Sequence, residues 1–411
     1  MKKYFHIILF CIALVCGCSE KEPSEPPEPS EPPGYQYFVK IDEGGTVNRA
    51  MLSSGATSYG YGKYASLPES DVMVHRMVYT TNYPQFTRLN VSGTLFVPVD
   101  YQPQFPTVIF QHGTNGNRDS DTGITLMESF FCMMISSAFH CVVLAPDYIG
   151  YGESKSVVHP YSHAESLGKT GLDFILAYRE YAANPKVSVS FNPEIFITGY
   201  SEGGQAAVAL HKTIENTPSV KLHVAKDVAG SGAYDMYAFA KAIISSDKPL
   251  GKTAMSSFLW VLHTYKNDYH YSKNYADIFS EEDNAALQSI DYDLSYNKPY
   301  IVNFHDNPAL LFQPAFVKAI VNDGDAEFLQ ISQTNSMMNF VPNDSLIFVY
   351  GTHDSWVFPL NTENAFQVMS KDDGKVLSYV QPDGDHNTTL FLYVDVVLNR
   401  LKLYLQSSYT Q

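Results

Sequence analysis

Cysteine is scarce in this chain: five residues in 411, three of them (Cys11, Cys16 and Cys18) within the first eighteen positions. That leaves Cys132 and Cys141 for the folded body, too few for a disulfide framework. Two buried free thiols are the expected state, with a single disulfide as the alternative. No Cys/His array has zinc spacing, so neither a metal nor a cofactor is expected. Long apolar runs are also missing; Tyr4 to Val15 is too short to span a bilayer comfortably. Positive charge is sparse as well, with 27 Lys and Arg against 43 Asp and Glu, a formal charge of −16. Losing residues 1–17 would delete Lys2 and Lys3 and move it to −18. Such a balance argues against nucleic acid or anionic headgroups as partners.

What the first residues do contain is an export signal. A basic start and an apolar run end in Val15-Cys16-Gly17-Cys18, which resembles a bacterial lipobox. The resemblance implies a leader over 1–17, cleavage before Cys18 and a lipid on its sulfur; an ordinary secretory cleavage nearby is the alternative. Residues 18–34 repeat Glu, Pro and Ser and read as an extended, solvated tether. The acidic stretch resembles surface-export signals of Bacteroides-type bacteria, which implies outer-membrane or cell-surface display. A periplasm-facing anchor is the other reading, and oligomeric state stays open.

About 375 residues follow the tether, enough for a large core with an insertion. Val72 to Thr81, Leu89 to Pro98, Thr107 to Phe110, Cys141 to Ala145, Ile195 to Thr198 and Leu222 to Val228 read as strands. Helical patterns lie between the later ones, near Thr125 to Ser137, Glu165 to Ala183 and Gly203 to Thr217. The order breaks at 234–344, which is helical in pattern, and resumes with strands 346–350 and 376–380 and a helix over Thr388 to Leu405. This is an α/β chain with a mostly parallel sheet covered on both faces. The core spans 35–233 and 345–411, and 234–344 is a helical cap over the strand ends.

Gly199-Tyr200-Ser201-Glu202-Gly203 lies between an apolar strand and a small-residue helix start. A sharp strand-to-helix turn there strains the serine and exposes its hydroxyl at a helix N-terminus. Serine needs a base, and the base needs an orienting acid. Asp354 lies four residues past strand 346–350 and His386 six past strand 376–380, both at the carboxyl edge that carries Ser201. Asp385 competes as the acid, and His353 is expected to pack or face solvent. Backbone N–H groups of Glu202 and Thr114 are the expected oxyanion donors, with Gly113 small to allow close approach. The Glu202 side chain has two open readings, a bond within the loop or a bias on the pocket. His159 and His163, four apart, suggest a metal, but Pro160 interrupts any helix through both, so a structural role is expected.

These residues, with Gln111-His112-Gly113, Asp147-Tyr148-Ile149-Gly150-Tyr151-Gly152-Glu153-Ser154 and His159-Pro160-Tyr161-Ser162-His163-Ala164-Glu165-Ser166, resemble an α/β-hydrolase. More narrowly, the chain looks like the secretory lipase/esterase branch, from about Met73 onward. That resemblance implies an eight-stranded core and carboxylic-ester hydrolysis through an acyl-enzyme. A cap cluster of Tyr265, Tyr269, Tyr271, Tyr275 and Phe279 suits sugar faces or phenolic acids, or else fills the cap core. The reading is a short-to-medium acyl esterase, with glycan-linked esters a candidate substrate. The alternatives are a triacylglycerol lipase, a peptidase using Glu281, Glu282 and Asp283 on a substrate amine, and an inactive glycan-binding lipoprotein.

Overall fold

Alternating buried positions along β-branched segments build the sheet, as β6 (Glu194–Tyr200) illustrates. Ile195 and Ile197 enter one apolar core while Phe196 and Tyr200 enter the other, the period-two pattern of a strand covered on both sides. The computed structural model describes residues 36–83, 86–101, 106–116, 121–187, 189–288, 304–370 and 374–408. The leader, Cys18 and the tether lie outside the described residues.

The strands are β1 (Phe38–Val47), β2 (Val72–Tyr83), β3 (Phe86–Pro98), β4 (Thr107–Gln111), β5 (Val143–Pro146), β6, β7 (His223–Gly230), β8 (Leu346–Gly351) and β9 (Val376–Gln381). They form one sheet in the order β1-β2-β3-β5-β4-β6-β7-β8-β9. Pairing is antiparallel from β1 through β5 and parallel from β5 to β9. Among the described residues nine strands rather than eight are present. The additional one, β1, is half-exposed at the edge and is interrupted by a register shift between Glu43 and Thr46.

Helices cover both faces. On one side lie α1 (Arg49–Ser58), α2 (Leu126–Phe139) and α13 (Thr389–Ser408), whose Leu52, Ile135 and Leu401 share a core with Phe196. On the other, α3 (Ala164–Ala182), α4 (Glu202–Glu215) and α12 (Leu360–Met369) contribute Phe174, Leu210 and Ala365 to the second core. Between β7 and β8 the described chain is helical: α5 (Met236–Ile244), α6 (Lys252–Asp268), α7 (Tyr275–Ile278), α8 (Glu281–Gln288), α9 (Pro308–Leu311), α10 (Pro314–Val321) and α11 (Ala326–Thr334). Tyr265, Tyr271 and Phe279 are buried here and extend the second core; Tyr265 and Tyr271 pack on Phe328 and Phe279 on Phe312. Cys132 and Cys141 are free and buried. No helix among the described residues is long and apolar enough to cross a membrane.

Candidate active site

Ser201 follows β6 directly and has φ 63° and ψ −122°, a region that L-residues populate only under constraint. The constraint is close packing. A Cβ on Gly199 would lie 2.1 Å from the Gly203 carbonyl oxygen, and one on Gly203 2.1 Å from that of Gln111. Both glycines are therefore required for the turn to close against β4. At Gly113, by contrast, a Cβ would meet Tyr200 O at 3.4 Å, ordinary contact. Smallness is not what shapes that loop.

Three loops at the carboxyl ends of β6, β8 and β9 bring Ser201, Asp354 and His386 together. Asp354 Oδ2 lies 2.7 Å from His386 Nδ1, and His386 Nε2 lies 3.0 Å from Ser201 Oγ. A carboxylate only accepts, so Nδ1 carries the hydrogen and Nε2 presents its lone pair to the serine hydroxyl. Asp354 is buried, and its Oδ1 accepts from the backbone N–H groups of Trp356 and Val357, each at 2.9 Å. Tyr200 donates its hydroxyl to the His386 carbonyl at 2.7 Å, and the Trp356 ring lies 4.9 Å from the imidazole. Asp385 instead closes the turn that leads into α13, accepting from Asn387 N, Thr388 N and the Thr388 hydroxyl. His353 is exposed.

Thr114 follows β4 and Glu202 opens α4, on either side of the serine. Gly113 N donates to Glu128 Oε1 at 2.7 Å. Among the described residues no hydrogen bond occupies the Thr114 or Glu202 amide. Glu128 Oε2 also accepts from Thr125 N and Oγ1, so one carboxylate ties the N-cap of α2 to the Gly113 loop. Only the i, i+3 spacing of Thr125 and Glu128, a capping-box pattern, signalled it in the sequence.

The Glu202 side chain turns inward onto His159, Oε1 to Nε2 at 2.7 Å, while His159 Nδ1 meets the Ile149 carbonyl at 2.7 Å. His163 accepts from Ser166 N and caps α3. With each ring so engaged, the two histidines are structural groups and do not converge on an ion. Three potential ligands do converge elsewhere among the described residues, His211, Glu215 and Asp344. Glu215 there already accepts from Asn343 N and Nδ2. Burial pulls the His211 pKa down, but hydrogen bonds to Asp227 and Glu215 outweigh it and lift it to about 9. The imidazolium thus supplies the positive charge itself.

Among the described residues two cavities reach Ser201. One, of about 400 Å³, lies among α2, α13 and the segment holding Tyr61 and Tyr64. The other, of about 20 Å³, lies beneath α5 and α6. None of Tyr265, Tyr269, Tyr271, Tyr275 and Phe279 lines either one. Neither do Glu281, Glu282 and Asp283, of which Asp283 is buried against His305.

No family model and no curated protein matches the chain. Solved structures do. A candidate hydrolase of Legionella pneumophila aligns with a TM-score of 0.77 at 19% identity, over 90% of this chain and 98% of its own. The rice cell wall degrading esterase LipA of Xanthomonas oryzae gives 0.72 at 18%, over 90% and 98%. Candida antarctica lipase A in its closed state gives 0.60 at 12%, over 90% and 82%. With its mostly parallel sheet, covering helices and carboxyl-edge loops, the chain has the α/β-hydrolase fold.

Proposed function

We propose that this protein is a serine hydrolase that cleaves carboxylic esters of short-to-medium acyl chain through an acyl-enzyme. The observation that carries the reading is the bonded series Asp354–His386–Ser201, at 2.7 and 3.0 Å, beside the Glu202 and Thr114 amides, which meet no hydrogen-bond partner among the described residues. Ser201 Oγ adds to the ester carbonyl carbon as its proton passes to His386 Nε2. The carbonyl electron pair moves onto oxygen, which the Glu202 and Thr114 N–H groups receive. Collapse breaks the bond to the alcohol, whose oxygen takes the proton back from Nε2. Water then repeats the sequence on the acyl-enzyme, and Asp354 holds the imidazole tautomer throughout.

The helices between β7 and β8 act as the cap of this site, with α5 and α6 walling its inner side. Tyrosines that suggested a glycan face are away from both cavities, and the acidic run that suggested a peptidase is too. Export and lipidation at Cys18 belong to the same reading and rest on the lipobox pattern. Metabolic labelling with a fatty acid, lost on Cys18→Ser, tests the anchor. For the chemistry, the purified protein and Ser201→Ala are assayed on acetyl to palmitoyl esters, emulsified triglyceride and aminoacyl anilides. Ester turnover that vanishes in the variant supports the reading; turnover of anilides alone would replace it with a peptidase.

A further inference from the structure

Ser201 sits where the two cavities meet, and the direction of proton transfer decides which half of an ester enters each. The leaving oxygen must take its proton from His386 Nε2, so the alcohol lies on the His386 side of the serine. His386 and Asn387 line only the large cavity; Glu202 lines only the small one; Ser201 and Trp356 line both. The acyl group is therefore directed under α5 and α6 and the alcohol toward α2 and α13.

Sizes then define the substrate. A space of about 20 Å³ is little more than a single water needs, room for a methyl group and not for a chain. Met236, Phe258 and Val261 close it. On the other side about 400 Å³ is available, within the range of cavities that enclose whole small molecules. Its walls are mostly apolar, with the rings of Phe110, Phe131 and Tyr393 beside Leu390, and its polar groups (Thr114, Thr125, Glu128, Asn387) gather near Ser201 and His386. Apolar rings packed against such walls gain burial that a hydrated sugar would not. We propose that the substrate is an acetyl ester of a bulky, ring-bearing, mainly apolar alcohol. This inference rests on the ester-hydrolase reading above and deepens it.

The test uses the full-length protein and two ester series with matched leaving-group basicity. In one the alcohol is 2-naphthylmethanol and the acyl group runs from acetyl through butyryl to octanoyl. In the other the acyl group is acetyl and the alcohol runs from ethanol through benzyl alcohol to 2-naphthylmethanol. We expect kcat/KM to fall about tenfold or more from acetyl to octanoyl, and to rise by a similar factor from ethanol to naphthylmethanol. Phe258→Ala and Met236→Ala should each raise the octanoyl-to-acetyl ratio. Leu390→Trp should lower the naphthylmethyl-to-ethyl ratio and leave the acyl ratio alone. Ratios taken within one variant cancel any loss of folded protein. Hydrolysis that prefers octanoyl ethyl ester, or variants whose effects are exchanged between the two series, would overturn the assignment while leaving ester hydrolysis intact. No turnover of any ester by a folded chain would overturn both.

Discussion

His159 Nε2 stands 2.7 Å from Oε1 of Glu202, the residue after Ser201, and both side chains are buried. The Ile149 carbonyl at Nδ1 can only accept, so Nδ1 carries a hydrogen and the Nε2–Oε1 contact holds one shared proton. The pair thereby joins the start of α4 to the chain that follows β5. Glu202→Ala would strand the histidine and should cost about 3–5 kcal/mol. Glu202→Gln can turn its amide to donate to Nε2 and should stay within about 1.5 kcal/mol of the parent. Urea unfolding of both variants checks the difference.

Asp354→Asn should fold normally, because Asn keeps an oxygen for the Trp356 and Val357 amides. Its NH₂ group would then face His386 Nδ1 and force the hydrogen onto Nε2. With no lone pair toward Ser201, kcat should fall on the order of 10⁴-fold. Steady-state kinetics beside an unchanged melting temperature would show it.

How much of this was legible depended on distance along the chain. The turn around Ser201 was readable because its strand, its glycines and its helix start are contiguous. Asp354 and His386 could be placed because each follows a strand of clear pattern, and the loop carries it to the same edge. β1 escaped notice because Gly44 and Gly45 break its pattern while half of its side chains face water. The Gly44 position is tight, with Val74 O only 2.0 Å from a would-be Cβ, a constraint imposed wholly by the neighbouring strand. Glu202 left two readings open since its partner lies 43 residues away. The cavities were invisible for the same reason, being formed by segments that meet only in the fold.

Glu128 should matter to catalysis although it touches no reacting atom. Glu128→Ala frees Gly113 N and loosens the loop that carries Thr114, the proposed oxyanion donor. A displacement of that donor should lower kcat on the order of 10²-fold, with a smaller change in KM. Glu128→Gln, which keeps one oxygen for Gly113 N, should recover much of the rate.

Acid should weaken the fold through His163. Burial, reinforced by nearby His159, holds its pKa down at about 4, against 6.5 unperturbed. The neutral ring caps α3 by accepting from Ser166 N, and a protonated one cannot. Its contribution is complete above about pH 6.5 and is lost as pH falls through about 4. His163→Asn keeps a capping acceptor that does not titrate there. Melting curves at pH 7.5 and 4.5 should show a smaller acid-induced drop for the variant.

The most direct test of the central claim is intact-mass analysis after reaction with a fluorophosphonate. One adduct is predicted, on Ser201, formed rapidly by the wild type, slowly by His386→Ala and not at all by Ser201→Ala. An adduct on another residue, or ester turnover that survives Ser201→Ala, would contradict the account.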